Sequence, residues 1–308
     1  MQPTPSVLKP KTSLNYDLLA IDLDGTLFDA RGRVGRANAE AVAAARAAGL
    51  RVVVASGRGL VESRHAIDVI GDADPVVVGG GSIVADPRAG STLHRFPMRP
   101  ALVRAVAELL DRQGLCALVL KDAAAAGYDY LVVTGERQHP LDPVSQWWFE
   151  ELGVQVRFVR TLAEDEHPEH TIRIGACARQ AVAGPLEAAL REAFGGSAMV
   201  MHFPAVAAPE HVRDWGPEGP AAVLEVFDAK VTKWTALEWL CAHLGIDPAR
   251  TAAIGDGLND VDMLRHAGLG IAMGGSDEAV RSAADVETGA NAEDGVAQAI
   301  GRILRGEW

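Results

Sequence analysis

The hydrophobic residues of this chain form short continuous runs that alternate with amphipathic stretches of helical period. The runs lie at Leu18–Ile21, 52–55 and Val76–Val78, and the stretches between them lie at 37–48 and Leu60–Ile70. Apolar runs without alternation that lie between helices indicate strands buried on both faces of a parallel sheet. The first part of the chain therefore predicts repeated β–α units.

The same alternation returns in the last third of the chain. The strands predicted there are residues 223–226, 252–254 and 269–273. The predicted helices are Lys233–Leu244, residues 260–267, residues 277–284 and Gly295–Leu304. The two ends of the chain are therefore expected to build one parallel sheet between two layers of helices.

The middle of the chain has shorter and more mixed strands than its ends. The strands predicted there are residues 117–120, 131–134, 154–159, 172–177 and 199–203. Helices are predicted at residues 101–113, 144–152 and 181–194. This mixture is typical of an α+β module with an antiparallel sheet.

Together the patterns predict an α/β fold class, with a Rossmann-like parallel-sheet core of three layers (αβα) and an inserted α+β domain. The core is expected to comprise residues 1–86 and 220–308, and the insertion residues 87–219. The proline-rich segment 204–220 is predicted to be the linker that leaves the insertion, and the first dozen residues are predicted to be a loose tail.

Composition and charge narrow the classes of function. A chain of 308 residues with 48% hydrophobic and 23% charged residues can form one large domain or two ordinary ones, and global disorder is not expected. The net charge of −12 argues against nucleic acid or an anionic membrane as the main partner, because binding a phosphate backbone needs a basic surface. A small anionic substrate remains compatible, since a bound cation can reverse the field inside one cleft.

The sequence carries no visible targeting segment and no disulfide framework. We find no signal peptide and no apolar run long enough to span a bilayer, so a cytoplasmic protein is expected. Cys116, Cys177 and Cys241 are scattered, and no pair of them has metal-ligand spacing. Each cysteine is expected to be a small buried apolar residue.

Two carboxylates directly follow the first predicted strand. Asp22 and Asp24 are two residues apart, and such side chains project to the same side of an extended segment. They repel each other unless a cation or a proton intervenes, and Mg²⁺ accepts one or two carboxylates together with phosphate oxygens. Asp22 is therefore a candidate nucleophile and metal ligand, and Asp24 a candidate general acid and base. An Asp-capped loop after a strand is the structural alternative.

Two further positions offer groups that could hold a phosphate. Ser56 and Gly57 follow the second strand, where a hydroxyl and backbone N–H groups at the start of a helix form an anion site. A simple helix N-cap explains Ser56 at least as well. Lys233 opens a helix, where a lysine is slightly unfavourable against the helix dipole, and its ammonium would offset charge on a transferring group. The nearby Lys230 is a competitor that periodicity does not exclude.

The strongest single motif is the string Gly-Asp-Gly-Leu-Asn-Asp at residues 255–260. Asp256 directly follows a buried strand, where a carboxylate has no evident structural duty and needs a cation or hydrogen-bond donors. Asn259 and Asp260 begin a helix, where both residue types are also ordinary caps. Because ligands bind outside the carboxyl ends of strands in an open α/β sheet, two acidic strand ends predict an oxygen-rich site for a hard cation.

The four motifs, taken together and in this order, resemble those of the haloacid dehalogenase (HAD) superfamily of aspartate-nucleophile phosphotransferases. Within it, the chain resembles the Cof-type phosphatases of sugar phosphates and other small molecules. Those proteins carry a large α/β cap inserted after the third core strand. The resemblance covers residues 18–83 and 224–304 and implies that the insertion is a cap that determines substrate specificity.

The resemblance also implies a role for each residue of the motifs. The catalytic residues would be Asp22 as nucleophile, Asp24 as acid and base, and Lys233. The phosphate would be held by Ser56, Gly57, Lys233 and Asn259. Mg²⁺ would be bound by Asp22, Asp256 and the backbone carbonyl of Asp24, with Asp260 supporting the metal shell. Lys233 is preferred over Lys230 because Lys-Trp-Thr-Ala-Leu at 233–237 resembles the Lys-Gly-x-Ala-Leu of the family.

The expected function is Mg²⁺-dependent hydrolysis of a small phosphate monoester, a sugar phosphate or related metabolite, through an aspartyl-phosphate. Phosphomutase-type phosphoryl transfer and a non-catalytic phosphate-ligand sensor are the alternatives. A monomer or a homodimer is expected.

Two other side-chain groups of the insertion are candidate ligand sites. The aromatic residues 147–149 could stack on a substrate ring, although three adjacent residues of a helix cannot share one face, and packing is favoured. His167 and His170 could bind a metal, but a solvated loop is the favoured interpretation because they lie in an acidic run.

Overall fold

A computed structural model of the chain describes residues 14–29, 31–71, 73–205 and 219–308. The expected loose tail and most of the expected linker at 204–220 lie outside these residues. Among the described residues, no helix combines the length and the apolar character needed to cross a bilayer.

The described strands and helices follow one another along the chain with short connections. The strands are β1 (Leu18–Ile21), β2 (Arg51–Val54), β3 (Val76–Val78), β4 (Ile83–Asp86), β5 (Ser91–Arg95), β6 (Ala117–Lys121), β7 (Tyr130–Val133), β8 (Val156–Val159), β9 (Thr171–Arg179), β10 (Ala198–Pro204), β11 (Ala221–Asp228), β12 (Thr251–Gly255), β13 (Leu269–Gly274) and β14 (Val286–Ala290). The helices are α1 (Arg36–Ala48), α2 (Leu60–Ile70), α3 (Pro100–Arg112), α4 (Ala123–Ala126), α5 (Pro143–Glu151), α6 (Gln180–Phe194), α7 (Lys233–Leu244), α8 (Val261–His266), α9 (Glu278–Arg281) and α10 (Gly295–Leu304).

Five of these strands form a parallel sheet in the order β14-β13-β12-β1-β2. Strand β1 lies at the point where the order reverses, because the chain continues from β1 to β2 on one side and reaches β12, β13 and β14 on the other. In β1, Ile21 lies opposite Val54 on one neighbour and Ile254 on the other. The crevice beside such a reversal is where ligands bind in open α/β sheets.

Helices cover both faces of the parallel sheet. Leu19 and Ile21 face a core that includes Val42 of α1 and Ile300 of α10. The alternate positions of β1, Leu18 and Ala20, face a second core that α7, α8 and α9 complete. The predicted three-layer arrangement is therefore confirmed. Apolar and polar residues do not alternate in these strands because both faces of each strand are buried.

Strand β3 continues the edge of the parallel sheet but belongs to a small antiparallel sheet. A single parallel bridge joins Val77 to Ala55, just after β2. Beyond it, β3 pairs with β4 and β4 with β5, both antiparallel. The sequence pattern did not predict β4 and β5.

The remaining strands form a second large sheet in the order β10-β11-β9-β6-β7-β8. All neighbours in it are antiparallel except β7 and β8, which are parallel, so the predicted antiparallel sheet is mixed at one edge. One face packs on α3 and α6 through an apolar core that includes Leu110 and Leu190. This sheet and its helices are the inserted α+β unit.

One predicted strand lies in a different sheet from the one expected. Residues 223–226 were expected to belong to the parallel core, but β11 pairs antiparallel with β9 and β10 in the six-stranded sheet. β11 therefore pairs with strands of the insertion although it lies beyond residue 220. The apolar run of β11 is equally compatible with either sheet, because most of its residues are buried in the six-stranded sheet as well.

Candidate active site

Two strand ends meet where the order of the parallel sheet reverses. The backbone N–H of Asp22 donates to the carbonyl of Ile254 at 3.0 Å, which places the end of β1 beside the loop after β12. Gly25 has φ +79°, and a Cβ atom there would lie 2.1 Å from a carboxylate oxygen of Asp256. The hydroxyl of Thr26 donates to Asp256 Oδ1 at 2.6 Å. The loops that follow β1 and β12 are therefore in direct contact.

Three carboxylates and one ammonium gather at this point. Oxygen atoms of Asp22, Asp256 and Asp260 lie within 4.8 Å of one another. Lys233, the first residue of α7, is fully buried, and its Nζ lies 2.5 Å from Asp22 Oδ1 and 2.6 Å from Asp260 Oδ1. Lys230, the competitor in the sequence, is exposed. The structure thus brings Lys233 into the cluster and leaves Lys230 at the surface.

The pKa values in the cluster reflect a surplus of buried negative charge. Burial raises the pKa of Asp22 well above its ordinary value, and the Asp260 carboxylate raises it further against the opposing effect of Lys233. Burial raises the pKa of Asp256 to about 6. Burial alone would lower the pKa of Lys233, but Asp22 and Asp260 raise it above its ordinary value. Three carboxylates against one ammonium form a site that a divalent cation would balance, and Mg²⁺ prefers such oxygen ligands.

The oxygens of Asp260 already have partners within the protein. Its Oδ1 accepts from Lys233, and its Oδ2 accepts from the backbone N–H groups of Asp256 and Gly257 at 3.1 and 2.9 Å. Asp260 therefore fixes the loop that carries Asp256 and orients the ammonium. These contacts favour a supporting role for Asp260 over direct metal ligation.

Asp24 lies on the open side of the cluster. Its side chain is 56% exposed and accepts two hydrogen bonds of 2.7 Å from Nε and Nη2 of Arg58. The Arg58 guanidinium also lies 5.4 Å from the centre of the Phe28 ring. Asp22 and Asp24 thus differ in environment, one buried beside an ammonium and the other at the pocket surface beside a guanidinium.

Ser56 and Gly57 lie between the end of β2 and the start of α2. Ser56 is fully buried, and its hydroxyl accepts from the backbone N–H of Arg58 at 3.1 Å. The N-cap of α2 is Gly59, so Ser56 is not the cap that the structural alternative supposed. Gly57 and Asn259 line the same pocket as Asp22.

A pocket of about 470 Å³ opens above these loops, between the parallel sheet and the six-stranded sheet. The core contributes Asp22, Asp24 and Asn259 to its lining. The other wall includes Trp148 of α5 and Phe203 of β10. Of residues 147–149, Phe149 is buried and Trp148 packs against the same core, and both of them also line the pocket.

Sequence reasoning missed a buried polar network on the far side of the pocket. Arg173 Nη1 lies 2.5 Å from Glu225 Oε1 and donates to the Gly57 carbonyl at 3.0 Å. Arg173 Nη2 donates to the hydroxyl of Tyr130, which in turn donates to Glu62 Oε1 at 2.8 Å. Burial raises the pKa of Glu225 to about 7. The available signal was a single charged residue inside each of two apolar strands, β9 and β11.

The cysteines and the histidines of the 167–170 segment lie outside the acidic cluster. All three cysteines are buried and unpaired, which agrees with the expectation of small apolar residues. Ligand atoms of His167, Glu169 and His170 lie within 4.8 Å of one another, and Glu169 is exposed. This geometry is compatible with a metal ion, and the solvated loop stays the favoured prediction.

Comparisons with known proteins agree with the motifs. The family model of haloacid dehalogenase-like hydrolases matches residues 19–300. Phosphatase YwpJ of Bacillus subtilis is 27% identical over 93% of this chain and 99% of its own length. Pyridoxal phosphate phosphatase YbhA of Escherichia coli is 25% identical over 92% of this chain and 97% of its own length.

The fold is also found among solved structures. A haloacid dehalogenase-like hydrolase from Bacteroides thetaiotaomicron superposes with a TM-score of 0.72 at 24% identity, over 94% of this chain and 99% of that one. The predicted fold and the predicted enzyme class, a phosphoric monoester hydrolase of this superfamily, are confirmed. The chain therefore belongs to the haloacid dehalogenase-like hydrolase family.

Proposed function

We propose that this protein is a Mg²⁺-dependent phosphatase that hydrolyses a small phosphate monoester, a sugar phosphate or related metabolite, through an aspartyl-phosphate on Asp22. The observation that carries the proposal is the contact of Lys233 with Asp22, within a cluster that also contains Asp256. Positions 22 and 256 are far apart in sequence, yet both line one pocket. The phosphatase names of the two relatives support the same class of reaction.

The chain's own residues can perform the phosphoryl transfer in two steps. A carboxylate oxygen of Asp22 attacks phosphorus, the ester oxygen leaves, and Asp24 gives that oxygen a proton. Asp24 then accepts a proton from the water that cleaves the acyl-phosphate and releases inorganic phosphate. Lys233 offsets the negative charge on Asp22 and on the phosphoryl group throughout.

The acidic cluster fits a magnesium ion. Asp22, Asp256 and the backbone carbonyl of Asp24 would hold it, with Asp260 fixing the loop from behind. The bound ion would supply charge neutralisation for the phosphate and the nucleophile. Gly57 and Asn259, which line the pocket, would bind the phosphate oxygens together with the buried Ser56 of the loop after β2.

We propose that the core and the insertion act as two domains. Because β11 belongs to the six-stranded sheet, the proposed insertion runs from the end of β5 to the end of β11 rather than over residues 87–219. The insertion covers the pocket, which would exclude bulk water during the first step. A cytoplasmic location and a monomeric or homodimeric state stay predictions.

The experiment that tests the proposal compares phosphate release by the wild-type protein and by Asp22→Asn. The substitution preserves the shape of the side chain but removes the nucleophile, so kcat should fall by at least about a thousandfold. Asp68→Asn changes an exposed carboxylate on α2 and serves as the matched control. Near-normal turnover by folded Asp22→Asn would refute the nucleophile.

The same assay separates the alternatives. A phosphomutase needs an acceptor hydroxyl and would release little phosphate from a donor alone. A sensor would bind phosphate esters without releasing phosphate. Steady release from a single donor supports the phosphatase.

A further inference from the structure

We propose that this pocket prefers a phosphate ester whose alcohol carries a flat apolar ring over a sugar phosphate. This inference rests on the proposed phosphatase function and narrows its substrate class. It is carried by the chemistry of the wall opposite Asp22, which the six-stranded sheet and α5 supply.

The apolar wall of the pocket comes from one face of the sheet. Met201 and Phe203 are alternate residues of β10, so they project to the same face, and both line the pocket together with Val223 of β11. The opposite face holds Val200 and Leu224, which pack in the core beneath α3 and α6. The pocket face of this edge of the sheet therefore presents Met201, Phe203 and Val223 beside Glu225, which lies opposite Met201 and is paired with Arg173.

Two aromatic side chains of this wall, Trp148 and Phe203, lie at the pocket surface. The Trp148 ring lies edge-on to Tyr130, with 6.2 Å between centroids, and 5.6 Å from the Phe149 ring. These contacts fix the indole at the pocket surface. Phe203 is 37% exposed at the same pocket. Exposed apolar side chains around a cavity mark a site for an apolar ligand, and aromatic pairs favour a planar one.

The polar groups of the pocket favour the same conclusion. Arg173 already binds Glu225, the Gly57 carbonyl and Tyr130, and the Tyr130 hydroxyl donates to Glu62. This network is paired largely within itself, and Asp24, Arg58 and Asn259 line the pocket from the core side. A sugar placed against the apolar wall would lose water from its hydroxyl groups without gaining enough partners, which is unfavourable. A ring that carries few hydroxyl groups avoids that loss.

The test compares three esters of primary alcohols, so that the leaving oxygen is the same in each. They are benzyl phosphate, cyclohexylmethyl phosphate and glucose 6-phosphate. We expect kcat/KM for benzyl phosphate to exceed that for glucose 6-phosphate by at least about tenfold, as expected for an apolar pocket. Cyclohexylmethyl phosphate should fall about threefold or more below benzyl phosphate, because it is apolar but not flat.

Each outcome of this comparison is decisive. A kcat/KM for glucose 6-phosphate equal to or above that for benzyl phosphate would overturn the inference and leave the phosphatase function intact. Release of phosphate from none of the three would count against the proposed function, and with it the inference. Equal rates for the benzyl and cyclohexylmethyl esters would overturn the requirement for a flat ring.

Substitutions at the wall provide an independent readout. In Trp148→Ala and Phe203→Ala, the ratio of kcat/KM for benzyl phosphate to that for glucose 6-phosphate should fall about three- to tenfold, the range of one aromatic contact. Phe203 is partly exposed, so its variant should fold even if Trp148→Ala does not. Phe158→Ala is the matched control, since Phe158 is 58% exposed on β8 and lies outside the pocket. An unchanged ratio in Phe203→Ala would refute the role of this wall.

Discussion

Lys233 illustrates how a locally unfavourable residue can be explained by its tertiary contacts. A lysine in the first turn of a helix opposes the helix dipole. In the structure its ammonium is fully buried against Asp22 and Asp260, both of which lie at the carboxyl edge of the sheet. Three groups thus depend on one another, because removing the ammonium leaves two buried carboxylates in contact.

This dependence predicts a large loss of stability in Lys233→Met. Breaking a buried ion pair by removing one partner costs about 3–5 kcal/mol, so the free energy of unfolding should fall by roughly that amount at neutral pH without added Mg²⁺. Urea denaturation followed by circular dichroism would measure it. Lys230→Met alters an exposed lysine three residues earlier and should change stability by less than about 0.5 kcal/mol. Equal effects of the two substitutions would contradict the ion-pair argument.

Asp24 is predicted to act on both the leaving group and the attacking water, and the two duties can be separated. With 4-nitrophenyl phosphate the leaving oxygen needs no proton, so Asp24→Asn should still form the aspartyl-phosphate. It should then release about one nitrophenolate per active site in a rapid burst, followed by steady turnover slowed by about a hundredfold or more.

Stopped-flow absorbance would measure this burst. Asp22→Asn is the control, because without the nucleophile it should show neither burst nor turnover. An Asp24→Asn protein with normal steady turnover would show that Asp24 is not the base.

At this scale the sequence predicted the carboxylates that directly follow a buried strand and missed loop residues that carry no local signal. Asp22 and Asp256 stand out because each directly follows a buried strand. Arg58 and Thr26 do not stand out, since a polar residue in a loop has many ordinary roles. Their importance comes from contacts across the fold, with Asp24 and Asp256 respectively, which no local pattern reveals.

At the scale of elements, two of the strands that were missed, β5 and β14, are polar edges, and the one misplaced strand is apolar. β5 has the sequence Ser-Thr-Leu-His-Arg, and β14 has Val-Glu-Thr-Gly-Ala at the end of the parallel sheet. Neither gives a continuous apolar run, because an edge strand buries less of its surface. β11 was recognised as a strand but assigned to the wrong sheet, since an apolar run does not specify which partners it pairs with.

The position of β11 has a testable consequence for stability, because it carries the buried Glu225. Burial raises the pKa of this carboxyl from 4.5 to about 7, so between these values the folded protein holds a proton that the unfolded chain has released. The free energy of unfolding therefore falls as pH rises through this window. Glu225→Gln cannot ionise and should lack that decrease.

Urea denaturation of both proteins at pH 5, 6 and 7 would test this. From pH 5 to 7 the wild-type protein should lose about 2 kcal/mol relative to Glu225→Gln. Glu40→Gln, which alters an exposed carboxylate on α1, should follow the wild type. Parallel stability curves for the wild type and Glu225→Gln would contradict the raised pKa.

At the scale of the whole molecule, the active site is a product of topology. Residues 22, 56 and 256 lie just beyond the carboxyl ends of β1, β2 and β12, and Lys233, which opens α7 after β11 of the other sheet, contacts Asp22 there. The reversal of strand order leaves a crevice between β1 and β12, and the inserted unit closes it from above with the apolar wall. The sequence could predict the residues beyond the strand ends. The apolar wall above them could not be predicted, because it depends on how the two sheets pack.

This topology predicts that Mg²⁺ stabilises the whole protein. The carboxylates of Asp22 and Asp256 come together only when β1 and β12 are paired, so the ion should bind the folded chain and not the unfolded one. When the free Mg²⁺ concentration is a hundred times the dissociation constant, the free energy of unfolding should rise by about 2.7 kcal/mol. This increase corresponds to a rise in Tm of a few degrees. Differential scanning calorimetry with Mg²⁺ and with EDTA would measure it.

Two substitutions decide whether the shift comes from this site. Asp256→Asn removes one of the two carboxylates proposed to hold the ion, so most of the increase in Tm should disappear and phosphate release should need far more Mg²⁺. Asp277→Asn is the matched control, because its carboxylate is exposed and makes no capping hydrogen bond at the start of α9. A Tm shift that survives in Asp256→Asn would place the ion elsewhere and would separate the metal from the strand ends that define this site.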